Sequence, residues 1–400
     1  MKKVLIYFTE FPAAPGGGEF LPLTLIAELL KSCEVTLALN WRSDVPRAAA
    51  MLNIPLDTAR LRIEYVKPAW KFLQKLDAVL PFYRTWQLRK LAKQADLCIS
   101  AANMFDFGKP AHHFVFLLRQ FGDNAFCDHL AGRPAPRGLP GLRRKCRTLL
   151  AEKILRPLLG MRSTRTILKD RKEHIYPASH YAANVMREFY GDFNSTVFYP
   201  PTWLECAASA APPERDPLQV VALGQIFPEK RLPDIIAMVG RAREISGLNL
   251  KLSLGGSLPD TPCAAELRTM AATCGWLSLP GPRYGKDKEL FLRSAAFAAH
   301  AERDEAFGIA VTEYLKCGLI PVVPDEGGTA EIVDNPALTY HTIEEGARIL
   351  ARLAADAEFR EKQREHCRER ARRFTRESYL RHQHELLTVM LGGAESGRNA

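Results

Sequence analysis

The chain has 400 residues, with 55 Lys+Arg against 45 Asp+Glu and 47% hydrophobic residues, which is long for one core and predicts two domains. These fractions exclude wholesale disorder, and no apolar run reaches the roughly 18 residues of a membrane-spanning helix. The net charge of +10 is concentrated in residues 133–172, where thirteen Lys/Arg meet two acids, Glu152 and Asp170, so that the rest of the chain is near neutral.

The first element is the apolar run Val4–Phe8. It follows Lys2-Lys3 and stops at Thr9-Glu10 without a small-residue cleavage site, so it is predicted as a buried strand and not as a secretory leader. Gly16-Gly17-Gly18-Glu19 comes next, ahead of an amphipathic stretch at Leu21–Leu30. Consecutive glycines let backbone amides approach a ligand, and a helix start favours phosphate. A flexible first turn fits the same residues. Further strands are predicted at Val35–Leu39, Arg62–Val66, Leu97–Ser100, Phe114–Leu118, His174–Ala178 and Thr196–Tyr199, with a helix at Tyr181–Tyr190. His112 and His113 stand at the start of their strand, and a structural role is expected for both.

From Arg143 the basic segment reads as a helix with one apolar and one basic face, the apolar face including Leu150, Ile154, Leu155, Leu158 and Leu159. Such a helix suits an anionic membrane surface; a solvated face over the core also fits. No aromatic residue lies between positions 127 and 175 to stack on bases, so no nucleic-acid partner is expected.

Pro200-Pro201 and the proline-rich Ala207–Pro217 mark a hinge. Strands resume at Val220–Gly224, Leu250–Leu254, Leu277–Leu279, Phe297–His300 and Ile320–Val323. Helices are predicted between and after them at Pro233–Ile245, Ala264–Cys274, Ile309–Cys317 and Glu344–Ala354. Short continuous apolar strands alternating with helices predict an α/β protein of two Rossmann-like, doubly wound domains facing a central cleft. The expected boundaries are 1–200 and 201–375, followed by a crossover helix at 376–391 and a flexible tail at 392–400. The nine cysteines are scattered, odd in number and without a C-x-x-C pair, so reduced thiols and a cytoplasmic location are expected.

Three loops after strands of the second half can carry chemistry. Gly224-Gln225-Ile226-Phe227-Pro228-Glu229-Lys230-Arg231 places two cations at a strand end, where they suit a diphosphate or lie solvated. His300 precedes Glu305-Ala306-Phe307-Gly308-Ile309, and Glu313 follows on the next helix. Amides near Gly308 and Ile309 can hold a phosphate, Glu305 a hydroxylated group, and Glu313 a vicinal diol; both acids also fit as helix-start and solvent-facing charges. The third loop, Asp325-Glu326-Gly327-Gly328, again opens a helix.

Taken in order, VVALGQIFPEKR (220–231), Glu305-x7-Glu313 within 300–333, Tyr199-Pro200-Pro201 and the loop Gly16–Glu19 resemble the retaining glycosyltransferases of family 4, which have the GT-B fold. Within that family the sequence is most similar to the α-1,2-mannosyltransferase branch, which extends lipid-linked oligosaccharide from GDP-mannose. The resemblance implies Lys230 and Glu305 as catalytic residues, Lys230 on the donor diphosphate and Glu305 at the donor sugar hydroxyls. It implies Glu313 at the ribose, and donor contacts from Gly17, Gly18, Gln225, Arg231, His300, Phe307, Gly308 and Ile309. Many members carry Arg where Gln225 stands; the close branch also has Gln.

The implied activity moves a hexose, mannose favoured, to a lipid-linked or cell-surface glycan with retention. No metal and no cofactor are expected beyond the nucleotide diphosphate sugar. The basic segment 133–172 would seat the protein on the inner face of the membrane. A UDP-sugar donor and a non-catalytic scaffold are the alternatives. A dinucleotide-dependent enzyme would need a G-x-G-x-x-G loop, which the sequence lacks.

Overall fold

The computed structural model describes residues 1–12, 15–67, 80–118, 123–130, 150–202, 204, 215–224, 227–258 and 260–393. The chain divides into two units, Met1–Trp203 with Tyr379–Ala400, and Leu204–Ser378.

The first unit is built on six parallel strands: β1 (Lys2–Phe8), β2 (Cys33–Leu39), β3 (Leu61–Tyr65), β4 (Leu97–Ser100), β5 (His112–Val115) and β6 (His174–Pro177), in the order β3-β2-β1-β4-β5-β6. β1 is buried from Val4 to Phe8, as expected of a central strand covered on both faces. Helices α1 (Gly17–Leu29), α2 (Leu80–Ala92), α3 (Thr164–Lys169) and α4 (His180–Tyr190) belong to this unit. The last helix of the chain, α9 (Arg376–Gly393), also packs here. Tyr379, Leu387 and Met390 enter the core formed by β1, α1 and β2. Gln383 donates a hydrogen bond to Thr24 Oγ1 at 2.9 Å, and His384 Nδ1 lies 3.0 Å from Glu28 Oε1.

The second unit repeats the design with β7 (Asp216–Leu223), β8 (Lys251–Gly255), β9 (Leu277–Gly281), β10 (Ala295–Ala299), β11 (Ile320–Pro324) and β12 (Thr339–Tyr340), ordered β12-β11-β10-β7-β8-β9 and all parallel. Its helices include α5 (Leu232–Ser246), α6 (Gly285–Arg293), α7 (Ile309–Lys316) and α8 (Gly328–Val333). Winding reverses between β7 and β10, so the loops leaving these two strands flank the switch point, where open α/β sheets bind ligands.

Four expectations need correction. Thr196–Tyr199 is not a strand: Ser195 makes one bridge to Ile175, and Phe198 donates to the Pro177 carbonyl at 3.0 Å. The ladder ends there because Pro177 has no N–H to return. The strand expected at Phe114–Leu118 starts two residues earlier, at His112. Helix α1 begins at Gly17, not Leu21, so Gly17 and Gly18 form a helical first turn. The basic segment is not one helix. Its part 133–149 lies outside the described residues; 150–158 is helical, with a wide π turn over Leu150–Leu155. The chain then breaks, and Ser163 caps the separate α3 through the Thr166 N–H at 3.2 Å.

Candidate functional site

The site forms where β7 and β10 end. Leu223 donates its N–H to Tyr314 Oη at 2.6 Å, tying the end of β7 to α7. Beyond Gly224 the chain makes a short turn at Pro228–Lys230 and enters α5 through Arg231, which holds the left-handed conformation at φ 49°. The Lys230 stem packs beside Gly224, where a Cβ would make ordinary contact with its Cε at 3.5 Å. On the neighbouring strand, the His300 N–H donates to the Val322 carbonyl at 3.0 Å, while its own carbonyl accepts from Tyr340 Oη at 2.8 Å. The loop that follows is clamped by a glycine pair. Gly328 donates to the Glu305 carbonyl at 2.8 Å, and a Cβ on Gly328 would sit 2.5 Å from the Ala306 carbonyl oxygen.

These supports bring four charged or ionisable groups together. Lys230 Nζ lies 2.7 Å from Glu302 Oε2 and 3.3 Å from Glu305 Oε2. His300 Nε2 lies 2.7 Å from the same Glu305 oxygen. Burial alone would raise the Glu305 carboxyl, but His300 and Lys230 outweigh it and hold it at about 2. Burial pushes Glu302 up, reinforced by Glu305 and opposed by Lys230. Burial would also lower the Lys230 ammonium, yet Glu305 and Glu302 raise it. Glu305 is therefore a firm anion and Lys230 a firm cation, while Glu302 takes a proton more readily than Glu305 does. His300, Glu302 and Glu305 have the spacing of a metal-binding trio, but the Lys230 ammonium already supplies a cation between the two carboxylates.

Gly308 opens α7 at φ 108°, a conformation disfavoured for any residue with a Cβ. A Cβ there would also meet Thr329 Cγ2 at 2.6 Å. The amides at the start of α7, Ile309 and Ala310, carry the positive end of the helix dipole; the Val311 N–H already donates to the Gly308 carbonyl at 2.9 Å.

Among the residues expected at a donor site, Lys230, His300 and Glu305 meet. Glu313 is buried one helical stretch away and pairs with Lys288 of α6 at 2.5 Å; the solvent-facing alternative does not hold. Arg231 turns outward to Asp234 at 2.6 Å and takes no part in the cluster. Phe307 faces the core, with its ring 6.0 Å from Phe374, so any donor contact it makes is through backbone. Gln225 lies outside the described residues. Gly17 and Gly18 belong to the other unit, where the Gly16 N–H donates to Glu19 Oε2 at 2.6 Å.

His113 is buried and lies 2.9 Å from Glu173 Oε2, and Arg162 reaches the other Glu173 oxygen at 2.7 Å and Asp106 at 2.9 Å. His112 stacks with Tyr176 and His174, and burial lowers its pKa to about 3. Sequence reasoning missed Glu302 and Lys288. Glu302 stands in an A-E-R-D-E loop that reads as solvated charge, and nothing in the spacing links Lys288 to Glu313, 25 positions on.

Residues 208–374 match the family model of glycosyl transferases group 1. No curated protein sequence matches the chain. Solved structures share its architecture along nearly its whole length. HepE of Anabaena in complex with UDP and glucose is 14% identical with a TM-score of 0.63, covering 98% of this chain and 100% of that one. WaaG, a glycosyltransferase involved in lipopolysaccharide biosynthesis, is 14% identical with a TM-score of 0.63, covering 96% and 99%. Sucrose-phosphate synthase from Thermosynechococcus elongatus is 13% identical with a TM-score of 0.66, covering 98% and 100%. At these identities the likeness concerns the fold, which is GT-B.

Proposed function

We propose that the chain is a glycosyltransferase that moves a hexosyl group, mannose favoured, from a nucleotide diphosphate sugar to a lipid-linked or cell-surface glycan, with retention and without a metal. The observation that carries this reading is the Lys230–Glu305–His300 cluster. It stands at the switch point of a parallel sheet, within the stretch that matches group 1 glycosyl transferases.

In this reading the donor diphosphate meets Lys230 and the amides at Gly308 and Ile309, with Gln225 beside them. Glu305, kept ionised, orients the donor sugar through its hydroxyls, and His300 fixes the Glu305 carboxylate. Glu313 takes the ribose diol, with Lys288 holding its second oxygen. The bond from the anomeric carbon to the diphosphate oxygen breaks through an oxocarbenium-like state. Negative charge grows on the leaving group, where Lys230 and the α7 dipole stabilise it. The acceptor hydroxyl attacks the same face and gives its proton to the departing phosphate oxygen.

GDP-mannose and a UDP-sugar remain the two donor readings. The sequence motifs favour the first; HepE, solved with UDP and with UDP-glucose, favours the second. Peripheral seating on an anionic membrane through 133–172 fits the exposed Leu150, Ile154, Leu158 and Leu159 beside the cations of that segment.

Thermal shift with GDP, UDP and ADP, followed by turnover of the corresponding nucleotide sugars, tests the reading. One diphosphate is expected to raise the melting temperature and its sugar to be consumed. No stabilisation by any of the three, with no sugar consumed, removes the proposal.

A further inference from the structure

A second constellation lies at the carboxyl edge of the first sheet, within the first unit. β2 and β3 are parallel and in register, Leu39 opposite Tyr65. Two residues further along each strand stand Trp41 and Lys67, and Lys67 Nζ lies 4.4 Å from the centroid of the Trp41 ring. Arg84 of α2 approaches the same ring, its Cζ 5.9 Å from the centroid. Next to Trp41, Asn40 accepts a hydrogen bond from Tyr7 Oη of β1 at 3.1 Å, which pins the loop that carries the indole.

Two cations share one aromatic ring. Among the described residues, neither Lys67 nor Arg84 meets a carboxylate or any other hydrogen-bond acceptor. Arg84 Nε is buried and without a hydrogen-bond partner among the described residues. Like charges brought together repel, and a buried guanidinium N–H without an acceptor costs desolvation free energy. Cation–π contact returns about 0.5–2 kcal/mol per ion, but the ring cannot accept the N–H bonds of an Arg fork. Among the described residues, no anion balances the two cations. Elsewhere in this unit a half-buried arginine is matched: Arg162 has Asp106 and Glu173 within 2.9 Å.

We propose that Trp41, Lys67 and Arg84 form a binding site for an anionic saccharide, with its phosphate or carboxylate between the two cations and a pyranose face on the indole. Arg84 supplies the bidentate, directional contact and Lys67 the point charge. The ring offers an apolar platform that a free inorganic anion cannot use. The site is independent of the transferase reading, because its occupancy is measured without turnover.

The experiment is calorimetric titration of the full chain with glucose 6-phosphate, glucose and inorganic phosphate, repeated on Lys67→Gln, Arg84→Gln and Trp41→Leu. Glucose 6-phosphate is expected to bind and glucose not. Each cation variant should weaken binding about tenfold, and Trp41→Leu should reduce glucose 6-phosphate to the affinity of inorganic phosphate. A phosphorylated maltotriose separates the sources of this chemistry: tighter binding than the monosaccharide assigns a glycan end, equal binding a free sugar phosphate. Circular dichroism and the melting temperature, unchanged in all three variants, verify that they fold. Absence of glucose 6-phosphate binding, undiminished binding in a Lys67→Gln/Arg84→Gln double variant, or equal binding of glucose overturns the proposal.

Discussion

Lys230 reaches Glu302 more closely than Glu305, at 2.7 Å against 3.3 Å. A diphosphate approaching Lys230 must therefore displace a carboxylate that no motif assigns. Glu302→Gln removes the competing charge and keeps the shape. Nucleoside diphosphate should bind several-fold more tightly in this variant, and product release should slow, so that kcat falls while KM for the donor falls with it. Titration calorimetry and steady-state rates check this; weaker binding in Glu302→Gln would show that Glu302 supports the donor.

Lys230→Ala should act in the opposite sense. In the proposed function it removes the charge that meets the leaving group, so diphosphate affinity should fall about tenfold and turnover by about 10²–10³-fold. Glu305→Ala should lower turnover heavily with a smaller effect on diphosphate affinity. Comparable, near-normal turnover in both variants would remove these two residues from the mechanism.

The Glu305 carboxyl lies at about 2 in the fold and in the ordinary carboxylate range in the unfolded chain. Its ionised form therefore favours the fold above that range, and the contribution is lost as pH falls toward 2. The gap in melting temperature between the native chain and Glu305→Gln should be widest near about pH 7 and close toward about pH 3. A gap that widens on acidification contradicts the assigned sign.

Gly308→Ala meets two penalties, a φ of 108° and a Thr329 methyl at 2.6 Å. Backbone strain of this kind costs on the order of 1–3 kcal/mol, which urea unfolding should detect. Gly308→Ala combined with Thr329→Ser relieves only the steric part, so it should recover some of the loss and not all.

Leu150, Ile154 and Leu158 recur at four-residue spacing and are 50%, 56% and 77% exposed. Flotation with anionic vesicles should carry the protein, and neutral vesicles should not. Ile154→Ser/Leu158→Ser should weaken the association, since each lost apolar side chain forfeits insertion free energy. Equal binding to neutral vesicles, or none to either, removes the electrostatic anchor.

Strands were readable wherever a continuous apolar run ended in a glycine or polar loop, as at Val4–Phe8 and Ile320–Val323. β12 was not, because two residues, Thr339 and Tyr340, carry no periodicity. The candidate site was readable where one loop and the helix after it hold several chemistry-bearing side chains, as from His300 to Glu313. It was unreadable where two segments must meet: Glu302 gains its meaning from Lys230, Glu313 its partner from α6, and Trp41 its cations from β3 and α2. The basic segment misled for a related reason. Its charge count is correct, but Arg162 is consumed by Asp106 and Glu173, and Arg165 lies over the rings of Phe189 and Tyr190.

The pairing of α9 with α1 and β1 bears on how the protein is made. The second unit is one contiguous stretch, Leu204–Ser378, whereas the first needs Tyr379, Gln383 and Leu387 to complete the core around Phe20 and Thr24. During synthesis, then, the unit that begins later can close first. The earlier sheet waits, with the surface of α1 uncovered, until Tyr379–Met390 leave the ribosome. A chain stopped before residue 376 should hold a finished second unit beside a first unit prone to aggregate and to bind chaperones.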